Sequence, residues 1–286
     1  MDKLILGVDA GNYMGKVIGP YGADSFRTNI CEWFERDVEE TFGNDDMEFE
    51  IDGRKGYAGS IALYEDEFSN GAMYGDSKAH DDTKIRVLLA IYRYISRHCP
   101  NAKEIALVTG QPIKRHKESE KGQIRDMLLG SHTIKVNGHY KTFAITNVGV
   151  APEGSSAYWS QPTAGTIRII DAGSGTVNAA TIKDNRHINN ASTTFNFGME
   201  TMNNKEDAAA IARGIVRNTT KLKWNNVDNV WICGGAAEML APHIQEHYKN
   251  ATVIKPTFKI GHNLSLLQPV YANAVGFYQL AKGAFS

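Results

Sequence analysis

The chain has 286 residues, 42% hydrophobic and 22% charged, which supplies enough apolar material for a sizeable core and excludes a disordered chain. Its 31 Lys and Arg against 32 Asp and Glu leave a formal charge of −1 with no long basic block, so direct nucleic-acid binding through phosphate attraction is not expected. Cys31, Cys99 and Cys233 are too scattered for a disulfide framework or zinc site, and no apolar run reaches signal or membrane length; these features predict a cytoplasmic protein with reduced thiols and no membrane association.

At about 150 residues per domain the length predicts two domains. The elements begin with a buried strand, Leu4 to Ala10, a turn at Gly11-Asn12 and a second strand through Lys16-Val17-Ile18. Met47 to Ile51, Gly53 and Tyr57 predict another small β element, whereas Ile61 to Gly75 shows no clear period. From Thr83, apolar residues at Ile85, Leu88, Leu89, Tyr92 and Ile95 predict a helix that stops at Cys99-Pro100. A strand from Ile105 to Thr109 ends at Gly110-Gln111-Pro112, a charged stretch runs from Lys114 to Asp126, and Asn137-Gly138 turns a hairpin. The strand Ile167 to Asp171 ends in Asp171-Ala172-Gly173, as the first strand ends in Asp9-Ala10-Gly11, and each continues into a further strand, which predicts an internal repeat. A hairpin at Asp184-Asn185 follows, then a helical pattern from about Met199 through Ile211, Ala212, Ile215 and Val216. The strand Asn229 to Ile232 meets Gly234-Gly235 and a helix from Ala236 to about Tyr248; a last helix carries Tyr271, Ala274, Val275 and Tyr278 on one side.

Two hairpins that each place an Asp at a strand end and small residues in the turn make chemical sense facing one another across a cleft. Glycine turns let backbone N–H groups approach phosphate oxygens, because no Cβ blocks them. Asp9 and Asp171 are then candidates to hold hydrated Mg²⁺ through water, and Lys16 to add positive charge to a phosphate tail. A third element, Gly234-Gly235 after a strand, completes the set.

This set resembles the actin-type ATPase fold shared by actins, heat-shock chaperones and sugar kinases. Asp9-Ala10-Gly11-Asn12 through Lys16 is similar to its first phosphate motif, Asp171 to Asn178 to its second, and Val230 to Glu238 to its adenosine motif. Val150 to Ala157 and Ala272 to Gly276 resemble its two connecting helices. The resemblance implies two related ribonuclease H-like lobes around a nucleotide cleft. Lobe I would comprise 1–155 plus 270–286, with a small subdomain IB near 31–75, and lobe II would comprise 156–269. Within the fold the chain most resembles the plasmid-segregating bacterial actins of the ParM family. Only Met199 to Cys233 separates Gly198 from Gly234, much shorter than the interval in actin or ParM that holds subdomain IIB; AlfA is the family member that lacks this subdomain, and the resemblance implies the same absence here.

The resemblance implies a filament that hydrolyses ATP or GTP with Mg²⁺ and segregates DNA through a DNA-binding adaptor protein. Glu153 in Pro152-Glu153 is the implied water-activating residue, acting with Asp9 and Asp171. Gly11, Asn12, Lys16, Gly173, Ser174, Gly175, Thr176, Glu200, Gly234, Gly235 and Ala236 are the implied nucleotide contacts. Each also has a plainer reading: Glu153 as a helix-start charge, Lys16 as a solvated strand residue, Ser174 and Thr176 as turn-closing hydroxyls. A small-molecule kinase or a monomeric ATPase of the same fold is the alternative function; a chaperone is disfavoured because no substrate domain follows Ser286. His243 and His247 match a zinc-peptidase spelling on one helical face, read here as a solvated helix.

Overall fold

The computed structural model describes residues 3–38, 41–66, 77–200, 207–260 and 263–286. Its first half builds one sheet of nine strands: β1 Leu4–Ala10, β2 Met14–Gly19, β3 Gly22–Arg27, β4 Ile30–Glu32, β5 Met47–Ile51, β6 Arg54–Ala58, β7 Glu104–Gln111, β8 Gly130–Val136 and β9 His139–Pro152. The order is β3-β2-β1-β7-β9-β8-β5-β6-β4. β1 is antiparallel to β2 and parallel to β7, which is parallel to β9. The helices are α1 Ser60–Glu65, α2 Asp81–His98 and α3 Glu118–Leu128.

The second half repeats this plan. β10 Thr166–Ala172 is antiparallel to β11 Val177–Lys183 and parallel to β14 Asn229–Cys233, which is parallel to β15 Asn250–Val253; β12 Arg186–His187 and β13 Thr193–Phe195 pair with β11. Helices α4 Ala208–Lys221 and α5 Ala237–Gln245 stand in the crossovers that α2 and α3 occupy in the first half. The hairpin of β16 Thr257–Ile260 and β17 Asn263–Leu266 then leads to α6 Ala272–Phe285.

Each sheet closes its own core. Leu6, Val8, Leu88, Leu89, Ile91 and Leu107 are among the fully buried residues of the first; Ile170, Ala179, Ile215, Ile232, Leu240 and Ile244 are among those of the second. α2 starts on His80, whose ring accepts from the Thr83 N–H, with Asp81 and Asp82 in its first turn and Arg97 and His98 in its last, all favourable to the helix dipole. The turns at Asn137-Gly138 and Asp184-Asn185 take positive φ at both residues, as tight hairpins require.

α6 joins the halves because two glycines let it approach closely. A Cβ at Gly7 of β1 would stand 2.4 Å from the Ala274 carbonyl oxygen. A Cβ at Gly276 would stand 1.8 Å from the Ser156 carbonyl oxygen, in the 3₁₀ segment Ser155–Ser160 that follows β9.

Several expectations are corrected. The segment after β9 is this 3₁₀ turn, and Val150 to Pro152 still belong to the strand. The charged stretch from Lys114 contains α3, which buries only Ile124 and Leu128, a stripe too narrow to show a period. The stretch from Ile61 contains α1, while 67–76 lie outside the described residues. Met199 and Glu200 form a turn; α4 begins after Asp207, whose side chain accepts from the Ala210 N–H, and the intervening 201–206 lie outside the described residues. α5 ends at Gln245, so His243 and His247 do not share its face, and His243 Nδ1 stands 3.6 Å from Glu246. Among the described residues no helix is long and apolar enough to cross a membrane.

Candidate functional site

The carboxyl ends of the parallel strands converge, where open α/β sheets place their ligands. β1 brings Asp9, β7 brings Gln111 and β9 leads into Glu153; from the other sheet β10 brings Asp171 and β14 leads into Gly234. Contacts across the gap fix the two sets together. The Ile113 N–H donates to Asn178 Oδ1 at 3.4 Å and the Lys114 N–H to Thr194 Oγ at 3.2 Å. Asn273 of α6 donates to Asp171 Oδ2 at 2.9 Å and accepts from the Gly154 N–H at 2.9 Å.

Asp9, Asp171 and Glu153 are all buried. Asp9 is paired in register with Lys16, whose Nζ stands 3.1 Å from Asp9 Oδ2. Asp171 Oδ2 accepts from Asn178 at 3.3 Å as well as from Asn273, and Asn178 also reaches Glu153 at 3.5 Å. Burial pushes the Glu153 carboxyl up to about 7; Lys78 and Lys16 pull it down, and the charges of Asp9 and Asp171 add to the rise. Asp171 is raised too, by burial first and also by Asp9, against the Asn273 and Asn178 hydrogen bonds. Cys233, in register with Asp171, is held as a thiol by burial and these carboxylates.

Three buried carboxylates stand here, of which Asp9 has an ammonium partner in Lys16, and Asp9 and Asp171 are the two that could hold a hydrated divalent cation. Asp9 and Asp171 each engage these partners through Oδ2, and Mg²⁺ takes few carboxylates and many waters. Among the described residues no group of three His, Cys, Asp or Glu could hold a metal ion directly, so the two aspartates suit Mg²⁺ only through its water shell.

The two turns are held from behind through their carbonyls. In the first, Lys78 Nζ donates to the Ala10 carbonyl at 3.1 Å and Thr28 Oγ to the Gly11 carbonyl at 2.6 Å. In the second, the Met199 N–H donates to the Gly173 carbonyl at 3.2 Å and the Glu200 N–H to the Ser174 carbonyl at 2.8 Å. A trans peptide points its N–H opposite to its C=O. The N–H groups of Gly11 and Asn12, and of Ser174 and Gly175, therefore face away from these supports. The turns also face each other, since a Cβ at Gly175 would stand 3.9 Å from Asn12 Nδ2. Backbone amides turned this way have the chemistry of an anion cradle.

The third element abuts the second turn. Gly234 takes φ +91°, and a Cβ there would stand 2.4 Å from the Ala172 carbonyl oxygen, so this strand end tolerates only glycine. The Ala236 N–H donates to the same carbonyl at 3.4 Å, while a Cβ at Gly235 would meet no atom within 4 Å.

The structure thus gathers Asp9, Asp171, Glu153, Lys16, Asn12 and Gly173 to Thr176 at one place, with Gly234 to Ala236 beside them. Glu200 reaches this place through its backbone N–H. Residues that sequence reasoning missed are Lys78, Arg86 and Gln111. Lys78 is buried against the first turn; burial lowers its pKa, opposed chiefly by Glu153. Gln111 accepts from the Lys78 N–H at 2.9 Å. No periodicity marks Lys78; Gln111 carries a weak signal at a strand end before Pro112. Asn178 and Asn273 lie inside the segments read as the second phosphate motif and the second connection, without a role assigned.

The N-terminal domain family of actin-like proteins matches residues 7–155. Among solved structures, an AlfA filament bound to AMPPNP superposes with a TM-score of 0.78 at 20% identity, covering 100% of both chains. The filament of AlfA from B. subtilis plasmid pLS32 gives 0.78 at 20% identity, covering 96% of this chain and 97% of that one. A 15-stranded ParM filament from Clostridium botulinum gives 0.76 at 19% identity, covering 99% and 100%. At these identities the likeness is one of fold. No curated protein sequence matches the chain.

Proposed function

The chain belongs to the actin-like proteins, and from that premise we propose that it is a nucleoside triphosphate hydrolase that forms filaments in the cytoplasm and segregates DNA through a DNA-binding adaptor. The observation that carries the reading is the pair of facing turns, each with its carbonyls captured from behind and a buried aspartate at its base.

Phosphate oxygens would lie between the turns, against the amides of Gly11, Asn12, Ser174 and Gly175, with the nucleoside along Gly234, Gly235 and Ala236. Asp9 and Asp171 would hold Mg²⁺ through water, and the ion when bound neutralises phosphate charge. Lys16, paired with Asp9, would add positive charge to the phosphate tail. Glu153 would accept a proton from the attacking water; its carboxyl, raised to about 7 by burial, is matched to that task near neutral pH.

The lobes of this reading correspond to the two sheets, joined at Ser155–Ser160 and α6. Nucleotide between turns on different sheets would bias their closure, and closure would alter the surface offered to another copy. The AMPPNP in the AlfA filament and the filament states of AlfA and ParM support this coupling by analogy. The short Gly198-to-Gly234 interval leads us to place no subdomain IIB in the second lobe.

Phosphate release with Mg-ATP and with Mg-GTP tests the reading. Wild type should release phosphate with at least one, and Glu153→Ala should still bind nucleotide but turn over about 10² to 10⁴ times more slowly. Wild-type turnover by Glu153→Ala would remove the residue from the mechanism.

A further inference from the structure

Two buried cations meet on one atom of the first turn. Lys78 Nζ donates to Asn12 Oδ1 at 3.3 Å, and the Arg86 guanidinium donates to the same oxygen through Nη1 at 2.9 Å. Both are anchored elsewhere: Lys78 on the Ala10 carbonyl, Arg86 through Nε on the Thr28 carbonyl at 3.1 Å. Arg86 is 1% exposed and Lys78 8%.

Lysine and arginine side chains are donors only, so the Asn12 atom facing them is its acceptor oxygen. The amide NH₂ must then face the opposite way, where the second turn stands, with a Gly175 Cβ position 3.9 Å from Asn12 Nδ2. A carboxamide left alone rotates broadly about its last torsion and can offer either end. Two charge-assisted hydrogen bonds on one oxygen remove that freedom.

We infer that Lys78 and Arg86 are positioning residues of a phosphate site, fixing the Asn12 carboxamide so that Nδ2 donates to a phosphate oxygen lying between the two turns. The inference rests on the nucleotide reading above and deepens it. The ligand class is a nucleoside polyphosphate, and the contribution falls on its phosphates and not on its base. Arg86 lies on α2 and Lys78 just before it, so the start of this helix is tied directly to the donor that meets the phosphate.

The test is a double-mutant cycle on binding of the Mg-triphosphate and of the matching nucleoside, using whichever of ATP and GTP the wild type binds. Lys78→Met should weaken triphosphate binding about tenfold, the scale of a lost charge-assisted contact, and leave nucleoside binding unchanged. In an Asn12→Ala background the same change should cost several-fold less, because the route through the carboxamide is gone and only the hold on the Ala10 carbonyl remains. Equal losses in both backgrounds would overturn the inference and make Lys78 a direct ligand or a purely structural residue. Asn12→Asp guards against a folding failure. It keeps both acceptor bonds to the cations but loses the NH₂ donor, so it should melt no lower than wild type yet lose triphosphate affinity at least as much as Asn12→Ala. Wild-type triphosphate affinity in Asn12→Asp would overturn the inference while leaving the nucleotide reading intact. Failure of the wild type to bind either Mg-ATP or Mg-GTP would instead overturn the nucleotide reading, and the inference with it.

Discussion

Asp9 and Asp171 occupy equivalent positions in two hairpins: each is the penultimate residue of its strand and accepts a hydrogen bond from the residue seven places on, Lys16 in one case and Asn178 in the other. The equivalence has one chemical difference. The first aspartate is neutralised by an ammonium, whereas the second is met by the amides of Asn178 and Asn273, which leave its charge in place. Glu153 contacts Asn178 and so stands beside the uncompensated member of the pair.

That asymmetry makes Asn273 a sensitive position. It satisfies Asp171 with its NH₂ and the Gly154 N–H with its oxygen, from a helix distant in sequence from both. Asn273→Ala leaves two buried polar groups short of partners and should destabilise the protein by about 1–3 kcal/mol. Urea denaturation monitored by circular dichroism checks this; an unchanged midpoint would show that the contact does not hold the halves together.

A second prediction concerns Gly276. Gly276→Ala would place a methyl 1.8 Å from the Ser156 carbonyl oxygen, and the backbone of either α6 or the 3₁₀ segment must move. A loss of about 1–3 kcal/mol is expected, as for other overpacked sites. Gly283→Ala on the same helix would meet no atom within 4 Å and should be neutral or slightly stabilising. Thermal melts of the two variants side by side separate close approach from helix propensity.

The raised Glu153 carboxyl predicts a pH dependence. Its folded value of about 7 lies above the ordinary 4.5, so its contribution to stability is fully present below the unfolded value and is lost as the pH rises through about 7. Glu153→Gln has no proton to lose. The variant's melting temperature should therefore gain on wild type between pH 5 and pH 8, measured without nucleotide or Mg²⁺. A constant difference across that range would show that burial does not raise the carboxyl.

Much of this was legible in the sequence where a local pattern carried it. The Asp-Ala-Gly strand ends at Asp9 and Asp171 announced the repeat, and Asn137-Gly138 and Asp184-Asn185 announced their turns, because these features depend on neighbouring residues alone. β3 and β4 are not legible in the sequence, since their pairing is set by the sheet and β3 carries mixed residues such as Asp24 and Ser25. Lys78 and Arg86 were missed for a related reason. Both reach Asn12 from far along the chain, and α2 reads as an amphipathic helix whether or not one buried residue is an arginine. The helical spacing reaches back to Met199, whose backbone instead supports the second turn through the Gly173 carbonyl.

High-speed sedimentation, with electron microscopy of the pellet, tests nucleotide-dependent polymerisation by this actin-like chain. Purified protein across a concentration series should pellet as filaments with Mg-ATP or Mg-GTP above a threshold concentration, and remain in the supernatant without nucleotide. No nucleotide-dependent pellet with either nucleotide at any concentration would contradict polymerisation as this protein's activity.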